Sequence, residues 1–103
     1  MSPAQGDIWW AEAQDKRRPV LVVTRDAAIG RVHRIMVAPV TRTVRHIPTE
    51  VPLGPDHGLP VECAATFDNL ETVLRSYLTE YVGHLRPDQG GEICRALSAL
   101  ADC

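Results

Sequence analysis

The pattern of apolar and polar positions predicts a chain built mainly of short strands. The segment "GDIWWAEA" places Ile8 and Trp10 on one face of an extended strand and Trp9 on the other. In "PVLVVTR" every position from Val20 to Val23 is apolar, which is typical of an interior strand that is covered on both faces. We therefore expect a first strand over "GDIWWAEA" and a second, interior strand over "PVLVVTR".

Two further strands are predicted to end at or lie on a sheet edge. The segment "RVHRIMVAPVT" begins polar and becomes apolar, and Pro39 near its end requires a bulge or an edge because proline lacks the N–H donor. "HIPTEVPL" alternates, with both prolines on one face, which indicates an edge strand. The opposite face of this strand holds Ile47, Thr49, Val51 and Leu53.

The second half of the chain predicts two more strands and one helix. "VECAATF" alternates again, a short strand is expected around "YVGHL", and "GPDHGLP" has the composition of a turn. Pro87 and Asp88 fit a helix start in "RPDQGGEICRALSALAD". The residues expected to face inward are Val61, Cys63, Ala65 and Phe67 from the strand, and Ile93, Ala96, Leu97 and Leu100 from the helix.

Together these elements predict a mainly β fold with one α-helix. Five or six short strands would form a small, curled antiparallel sheet or partly open barrel, with the C-terminal helix packed on it. The length of 103 residues fits a single domain over residues 1–103. A hydrophobic fraction of 45% and a charged fraction of 23% are those of an ordinary globular protein. The apolar runs are too short to cross a bilayer and no secretory signal is evident, so we expect a cytoplasmic protein.

The cysteines and histidines predict neither a disulfide framework nor a metal site. Cys63, Cys94 and Cys103 are odd in number and widely spaced, so we expect reduced thiols, two of them as small apolar fillers. The four histidines do not show the spacing of zinc ligands. We therefore expect neither a metal nor another cofactor.

Charge is distributed unevenly along the chain although the net charge is only −2. Residues 1–15 sum to −3, residues 16–45 to +7 and residues 46–103 to −6. We call residues 16–45 the basic segment. Because an electrostatic footprint is local, this segment predicts a narrow nucleic-acid site on an otherwise acidic protein.

Within "DKRRPVLVV", Arg18 is the cation that the sequence holds most firmly. A residue before proline is forced into extended geometry, and Pro19 suits the first position of a strand. Lys16 and Arg17 are then expected on a freer loop. A fixed guanidinium suits a phosphate because it donates two parallel hydrogen bonds. The alternative, an ion pair between Arg18 and Asp15 or Glu12, remains open.

Thr41 is the second candidate, at the end of "VAPVT". Its hydroxyl is a neutral hydrogen-bond donor that is followed by Arg42 and, further on, Arg45 and His46. A threonine at this place is also an ordinary β-branched strand residue, so its significance depends on what lies beside it.

An ordered set of motifs resembles the MazF/PemK family of toxin endoribonucleases. The segments are "GDIWWAE", "RRPVLVV", "VAPVT", "PTEVPL", "DHGLPVECA" and "FDNLETV", and they span nearly the whole chain. The resemblance implies an SH3-like barrel of the type shared by CcdB, MazF and PemK. It also implies a homodimer that cuts single-stranded RNA without a metal and is inhibited by a cognate antitoxin.

The resemblance further implies roles for individual residues. Arg18 and Thr41 match the family's catalytic pair, and Asn69 in "FDNLETV" matches a residue that contacts RNA. Lys16, Arg17 and Arg42 are expected to bind RNA through its phosphates. The sequence departs from the family in the short segment "AEAQDKR" between Trp10 and Arg18, which contains no glycine.

The mechanism and two alternatives remain open at this point. Cleavage without a metal uses the RNA 2′-hydroxyl as nucleophile, which distinguishes RNA from DNA. The general base could be His33, His46, Glu12 or Asp68. One alternative is a gyrase poison of the CcdB type, whose characteristic Trp-Gly-Ile this sequence lacks. The other is a barrel that binds nucleic acid without cutting it.

Overall fold

The structure, a computed structural model, describes residues 2–13 and 15–101. Across these residues the chain forms seven strands, two α-helices and short 3₁₀ turns. The strands are β1 (Asp7–Ala13), β2 (Lys16–Val22), β3 (Arg34–Thr41), β4 (Glu50–Leu53), β5 (Cys63–Thr66), β6 (Glu71–Leu74) and β7 (Leu78–His84). The helices are α1 (Asp26–Ile29) and α2 (Glu92–Leu100), and the 3₁₀ turns are Pro55–His57, Phe67–Asn69, Arg75–Tyr77 and Pro87–Gln89.

All strand pairs are antiparallel, and β3 lies at the centre of the sheet. The order along the sheet is β4-β5-β3-β2-β1-β7, and β6 pairs with β3 as well. One edge of β3 meets β6 over Arg34–Val37 and then β5 over Val40–Thr41. Because two strands share this one edge, the sheet curls toward a half-barrel.

The curled sheet is apolar on both faces. On one face Ile8, Leu21 and Phe67 pack with Ile93 and Ala96 of α2, all at least 95% buried. The other face joins residues from β1, β2, β3 and α1 in a second cluster. Its main members are Trp9, Val20, Val22, Ile29, Ile35 and Val37. The alternation of "GDIWW" across two faces and the burial of "VLVV" are confirmed.

The predicted fold class is confirmed, but the number of strands is not. The expected five or six strands are seven in the described part of the chain, because β6 was missed. Strand β6 is only four residues long, and its sequence "ETVL" does not alternate between apolar and polar residues. It is recognised as a strand only by its pairing with β3. The edge position of β4 is confirmed.

Strand β2 begins earlier than predicted, so two of the cations lie within the strand and not before it. Ala13 of β1 pairs with Lys16 of β2, and Asp15 just before Lys16 adopts a φ of 66°. Strand β2 therefore begins at Lys16, and Pro19 lies inside it opposite Trp10. The prediction that Lys16 and Arg17 lie on a freer loop is wrong, because hairpin pairing extends the strand past the proline.

Several predicted inward positions are at the surface. Val61 is 43% exposed, since β5 begins only at Cys63. The strand predicted over "HIPTEVPL" is shorter than expected, since β4 begins only at Glu50, and Ile47 before it is 36% exposed. Leu100 at the end of α2 is 41% exposed. Helix α2 begins at Glu92 instead of near Pro87, because Gly90 and Gly91 separate it from a 3₁₀ turn. Within residues 2–13 and 15–101, no helix is long and apolar enough to span a bilayer.

Candidate active site

The β1–β2 hairpin places Lys16 and Arg18 on the same side of the sheet. They pair with Ala13 and Ala11 of β1, and side chains two residues apart in a strand share a face. Both line an open cavity of about 340 Å³, together with Arg34 from β3. The remaining lining comes from small β1 residues and from the segment around β6, namely Ala11, Ala13, Glu71, Thr72, Val73 and Tyr77. We call this the Arg18 cavity.

Arg18 forms an ion pair with Glu71 in this cavity, through its Nη2 atom and the carboxylate Oε1. The side chains are 43% and 35% exposed, so both remain accessible to a ligand. The alternative considered from sequence was an ion pair between Arg18 and Asp15 or Glu12. It named the wrong acid. Arg18 does pair with an acid, but this acid is supplied by β6 across the sheet.

Arg17 lies on the opposite side of the hairpin and is held by three groups. Its guanidinium carbon lies 4.1 Å from the centroid of the Trp10 ring, at cation–π distance. Its Nη2 atom donates to Glu80 at 2.6 Å, and its Nε atom lies 3.6 Å from Glu12. The neighbouring cations Arg17 and Arg18 thus face different surfaces and have different partners.

Thr41 is the last residue of β3 and is half-buried. Its Oγ1 accepts a hydrogen bond from the Thr43 amide at 3.1 Å. A hydroxyl that accepts in this way still has its own proton to donate. Thr41 lines a smaller hollow of about 120 Å³, which we call the Thr41 hollow. Its other lining residues are Trp10, Pro19, Val40, Arg42, Leu59, Pro60, Val61 and Cys63.

Strand register relates the two candidate catalytic residues. Val20 of β2 pairs with Pro39 of β3, and two steps along each strand from this pair lead to Arg18 and Thr41. The register therefore puts both residues at the same end of the sheet. The cavities that they line open on opposite faces of β2, since Arg18 lines one and Pro19, whose side chain points to the other face, lines the second.

The remaining predicted RNA-binding residues are divided among these surfaces. The exposed Arg42 lines the Thr41 hollow. Asn69 ends the 3₁₀ turn before β6 and is exposed, but it lines neither of the two cavities. The structure thus brings Lys16 together with Arg18, and Arg42 together with Thr41, while Asn69 stands two residues before Glu71.

The four candidate general bases all lie outside the Arg18 cavity. Glu12 contacts Arg17 and accepts a hydrogen bond from Thr79. Asp68 accepts from the Thr49 hydroxyl at 3.0 Å. His33 lines a separate cavity with Trp9 and Arg75, and His46 is exposed.

Sequence reasoning missed Glu71, which is the acid in contact with Arg18. The two residues are 53 positions apart, and β6 was not predicted as a strand, so no local pattern joined them. The sequence pointed to Glu71 only through the family resemblance, because Glu71 lies inside the motif "FDNLETV".

Cys63 lines the Thr41 hollow and is buried. Burial raises the pKa of its thiol, Arg42 opposes this rise and Glu62 adds to it. Cys63 thus fits the prediction of a small apolar filler, whereas Cys94 is exposed. Both are free thiols, and Cys103 lies outside the described residues.

Comparison with known proteins agrees with this fold and these motifs. A family model described as PemK-like, MazF-like toxin of type II toxin-antitoxin system matches residues 4–101. One relative, from Mycobacterium tuberculosis, is named probable endoribonuclease MazF5 and is 42% identical over 98% of this chain and 94% of its own length. Another from the same species, probable endoribonuclease MazF2, is 33% identical over 96% of this chain and 98% of its own length.

Solved structures show the same architecture. The Mycobacterium tuberculosis toxin MazF-mt6 superposes with a TM-score of 0.85 at 33% identity, covering 93% of this chain and 96% of that one. An endoribonuclease in complex with its cognate antitoxin, from a mycobacterial species, gives 0.83 at 28% identity, covering 99% and 98%. This chain therefore belongs to the PemK-like, MazF-like family of type II toxins.

Proposed function

We propose that this chain is the endoribonuclease toxin of a type II toxin–antitoxin pair, acting as one domain over residues 1–103. It cuts single-stranded RNA without a metal, by attack of the 2′-hydroxyl on the adjacent phosphate, and leaves a 2′,3′-cyclic phosphate. The main support is the position of Arg18, a guanidinium fixed on an interior strand at the wall of a cationic cavity, in a chain of this toxin family.

Arg18 and Thr41 form the catalytic pair in this proposal. Arg18 stabilises the negative charge that develops on the phosphorane, because guanidinium N–H groups match phosphate oxygens in geometry and charge. The Thr41 hydroxyl donates a hydrogen bond to a second phosphate oxygen. Their common end of the sheet supports a shared substrate.

The RNA strand passes around the end of the sheet at which Arg18 and Thr41 lie. Lys16 binds a phosphate beside Arg18 on one face of the hairpin, whereas Arg42 in the Thr41 hollow and Arg17 beside Trp10 bind phosphates on the other face. Asn69 contacts the RNA from the turn before β6.

The partners of this chain follow from the same assignment. The endoribonuclease relative solved with its cognate antitoxin supports an antitoxin partner here, and we expect a homodimer as the active form. An acidic, disordered antitoxin segment would occupy the cationic cavities and fold on binding. We also expect the protein to act in the cytoplasm, where RNA is available.

One incubation tests the proposed function. Purified protein is mixed with a long RNA in EDTA, beside an Arg18→Ala variant, and the fragment ends are mapped. We expect discrete fragments with cyclic phosphates from the parent and intact RNA from the variant. Intact RNA in both lanes, with RNA still bound, would support the barrel that binds without cutting. Inhibition of DNA gyrase without RNA cleavage would support the gyrase poison.

A further inference from the structure

We propose that Glu71 is the general base of RNA cleavage, the group that takes the proton from the attacking 2′-hydroxyl. This inference rests on the proposed endoribonuclease function. It identifies an acid that no local sequence pattern joins to Arg18. It also supplies the step for which the four bases considered from sequence are badly placed.

Strand pairing fixes the position of Glu71 beside Arg18. Glu71 is the first residue of β6, where it pairs with Val37 of β3. From there its carboxylate Oε1 reaches the Arg18 Nη2 atom inside the Arg18 cavity. Because the Glu71 side chain is 35% exposed, a substrate can reach its carboxylate. A carboxylate buried in the core would not be accessible in this way.

The charges around Glu71 allow an anionic substrate to approach it. Among the described residues that line the Arg18 cavity, Glu71 is the one carboxylate, whereas Lys16, Arg18 and Arg34 are cations and Tyr77 is the other titratable group. Three positive charges offset the repulsion between one carboxylate and a phosphate. RNA can therefore bind without first displacing Glu71.

The geometry of arginine allows one residue to hold both the base and the phosphate. A guanidinium has five N–H donors, and the contact with Glu71 uses its Nη2 atom. Donors on the other edge can bind the scissile phosphate at the same time. The 2′-hydroxyl on the 3′-linked ribose lies next to that phosphate, which brings it within reach of the carboxylate. A general base must be roughly 2.6–3.2 Å from the atom it deprotonates, or act through one water.

The chemical step balances with water as the proton source. The proton of the 2′-hydroxyl moves to the Glu71 carboxylate while its oxygen forms a bond to phosphorus. The bond between phosphorus and the 5′-oxygen breaks, and this oxygen takes a proton from water. The products are a 2′,3′-cyclic phosphate and a 5′-hydroxyl end. Protonated Glu71 then returns its proton to solvent.

Glu71→Gln provides the test, because it keeps the shape and the contact with Arg18 but cannot accept the proton. Single-turnover cleavage of an RNA that contains the mapped site should slow by roughly 10²- to 10⁴-fold, the usual contribution of a general base. Affinity for the same RNA carrying a 2′-O-methyl group at that site should be unchanged or tighter. The variant's rate should rise about tenfold per pH unit where the parent's rate is flat, because hydroxide replaces the missing base.

A matched control is Glu92→Gln in α2. Glu92 pairs with Arg95 as Glu71 pairs with Arg18, and the two arginines are equally exposed at 43%. This control should cut at the parent's rate. Glu71→Asp should retain more activity than Glu71→Gln, because the carboxylate remains.

Several outcomes would overturn the inference. If Glu71→Gln cuts as fast as the parent or faster, Glu71 only caps Arg18 against phosphate. If cleavage and 2′-O-methyl RNA binding fall by the same factor, Glu71 only holds the site in shape. If the parent itself leaves RNA intact in EDTA, the proposed function fails and this inference fails with it.

Discussion

Three adjacent cations near the start of β2 differ because of the face on which each side chain lies. Lys16 and Arg18 point into the Arg18 cavity, and Arg17 between them points to the other side, where Trp10 and Glu80 hold it. The pairing of Arg18 with Glu71 gives it a fixed orientation within reach of a substrate. Strand alternation thus separates a group suited to chemistry from one suited to binding.

Arg18→Ala and Thr41→Ala should each reduce the cleavage rate. Loss of one preorganised donor to a developing oxyanion costs about 3 to 4 kcal/mol, or roughly a hundred- to thousandfold in rate. Single-turnover cleavage of a defined RNA measures this effect. Arg31→Ala removes an exposed cation of the same basic segment from outside both cavities, and it should leave the rate nearly unchanged. Equal losses for Arg18 and Arg31 would contradict the catalytic assignment.

Cys94 should react with iodoacetamide at pH 8 long before Cys63 does. The thiolate is the reactive form, and burial both shields the Cys63 sulfur and raises the pKa of its thiol, which lowers the thiolate fraction. Peptide mapping by mass spectrometry measures each site separately, and unfolding in urea should remove the difference. Faster labelling of Cys63 in the folded protein would contradict its place beneath the Thr41 hollow.

At the scale of elements, one close backbone approach joins the turn Pro55–His57 to β7. If Gly83 carried a Cβ atom, this atom would lie only 2.1 Å from the His57 carbonyl oxygen. A Cβ atom on Gly58 would likewise lie 2.4 Å from the Val82 carbonyl oxygen. His57 itself is buried and bonds to the Gly54 amide and to Gln89. Two glycines are therefore required for this turn to pack on the sheet.

Gly83→Ala should lower the free energy of unfolding by about 3 kcal/mol, because the new methyl group meets backbone that cannot move aside. Gly30→Ala is the matched control, since its Cβ would meet no atom within 4 Å and its φ of −74° suits any residue, and it should change stability by less than about 0.5 kcal/mol. Urea denaturation followed by circular dichroism measures both. Equal stabilities of the two variants would show that the approach is looser than described.

Strands with a long apolar pattern could be predicted from the sequence. Strands that are recognisable only by their pairing with another strand could not. Strands β1 and β3 and the apolar part of β2 were predicted because their apolar residues alternate or run without interruption. Strand β6 and the extension of β2 back to Lys16 depend on hydrogen bonds to neighbouring strands. Pairing partners lie far apart in sequence, so a single-strand pattern does not contain this information.

For the molecule as a whole, the uneven charge predicts a strong dependence of RNA binding on salt. Four cations are assigned to phosphates, namely Lys16, Arg17, Arg18 and Arg42. For single strands the slope of log K against log salt is about −0.7 per neutralised phosphate, which gives about −3 in total. Fluorescence anisotropy with a 2′-O-methyl RNA measures this slope.

Arg42→Ala should make this slope less negative by about 0.7, because one phosphate contact is lost. Arg86→Ala is a suitable control, since Arg86 pairs with Asp56 and Asp88 away from both cavities. The control should leave the slope unchanged. If both variants show the same salt slope, Arg42 does not contact a phosphate directly, and the basic segment attracts RNA only through its overall positive charge.

The sequence by itself determined the fold class, the interior strand behind Arg18 and the family motifs that single out Arg18 and Thr41. These features are local, because they follow from side-chain periodicity, from proline geometry and from short ordered motifs. The tertiary structure decided which face each cation occupies and which acid meets Arg18. Glu71 reaches Arg18 only because β6 pairs with β3 beside β2, and such a contact between distant segments is created by folding.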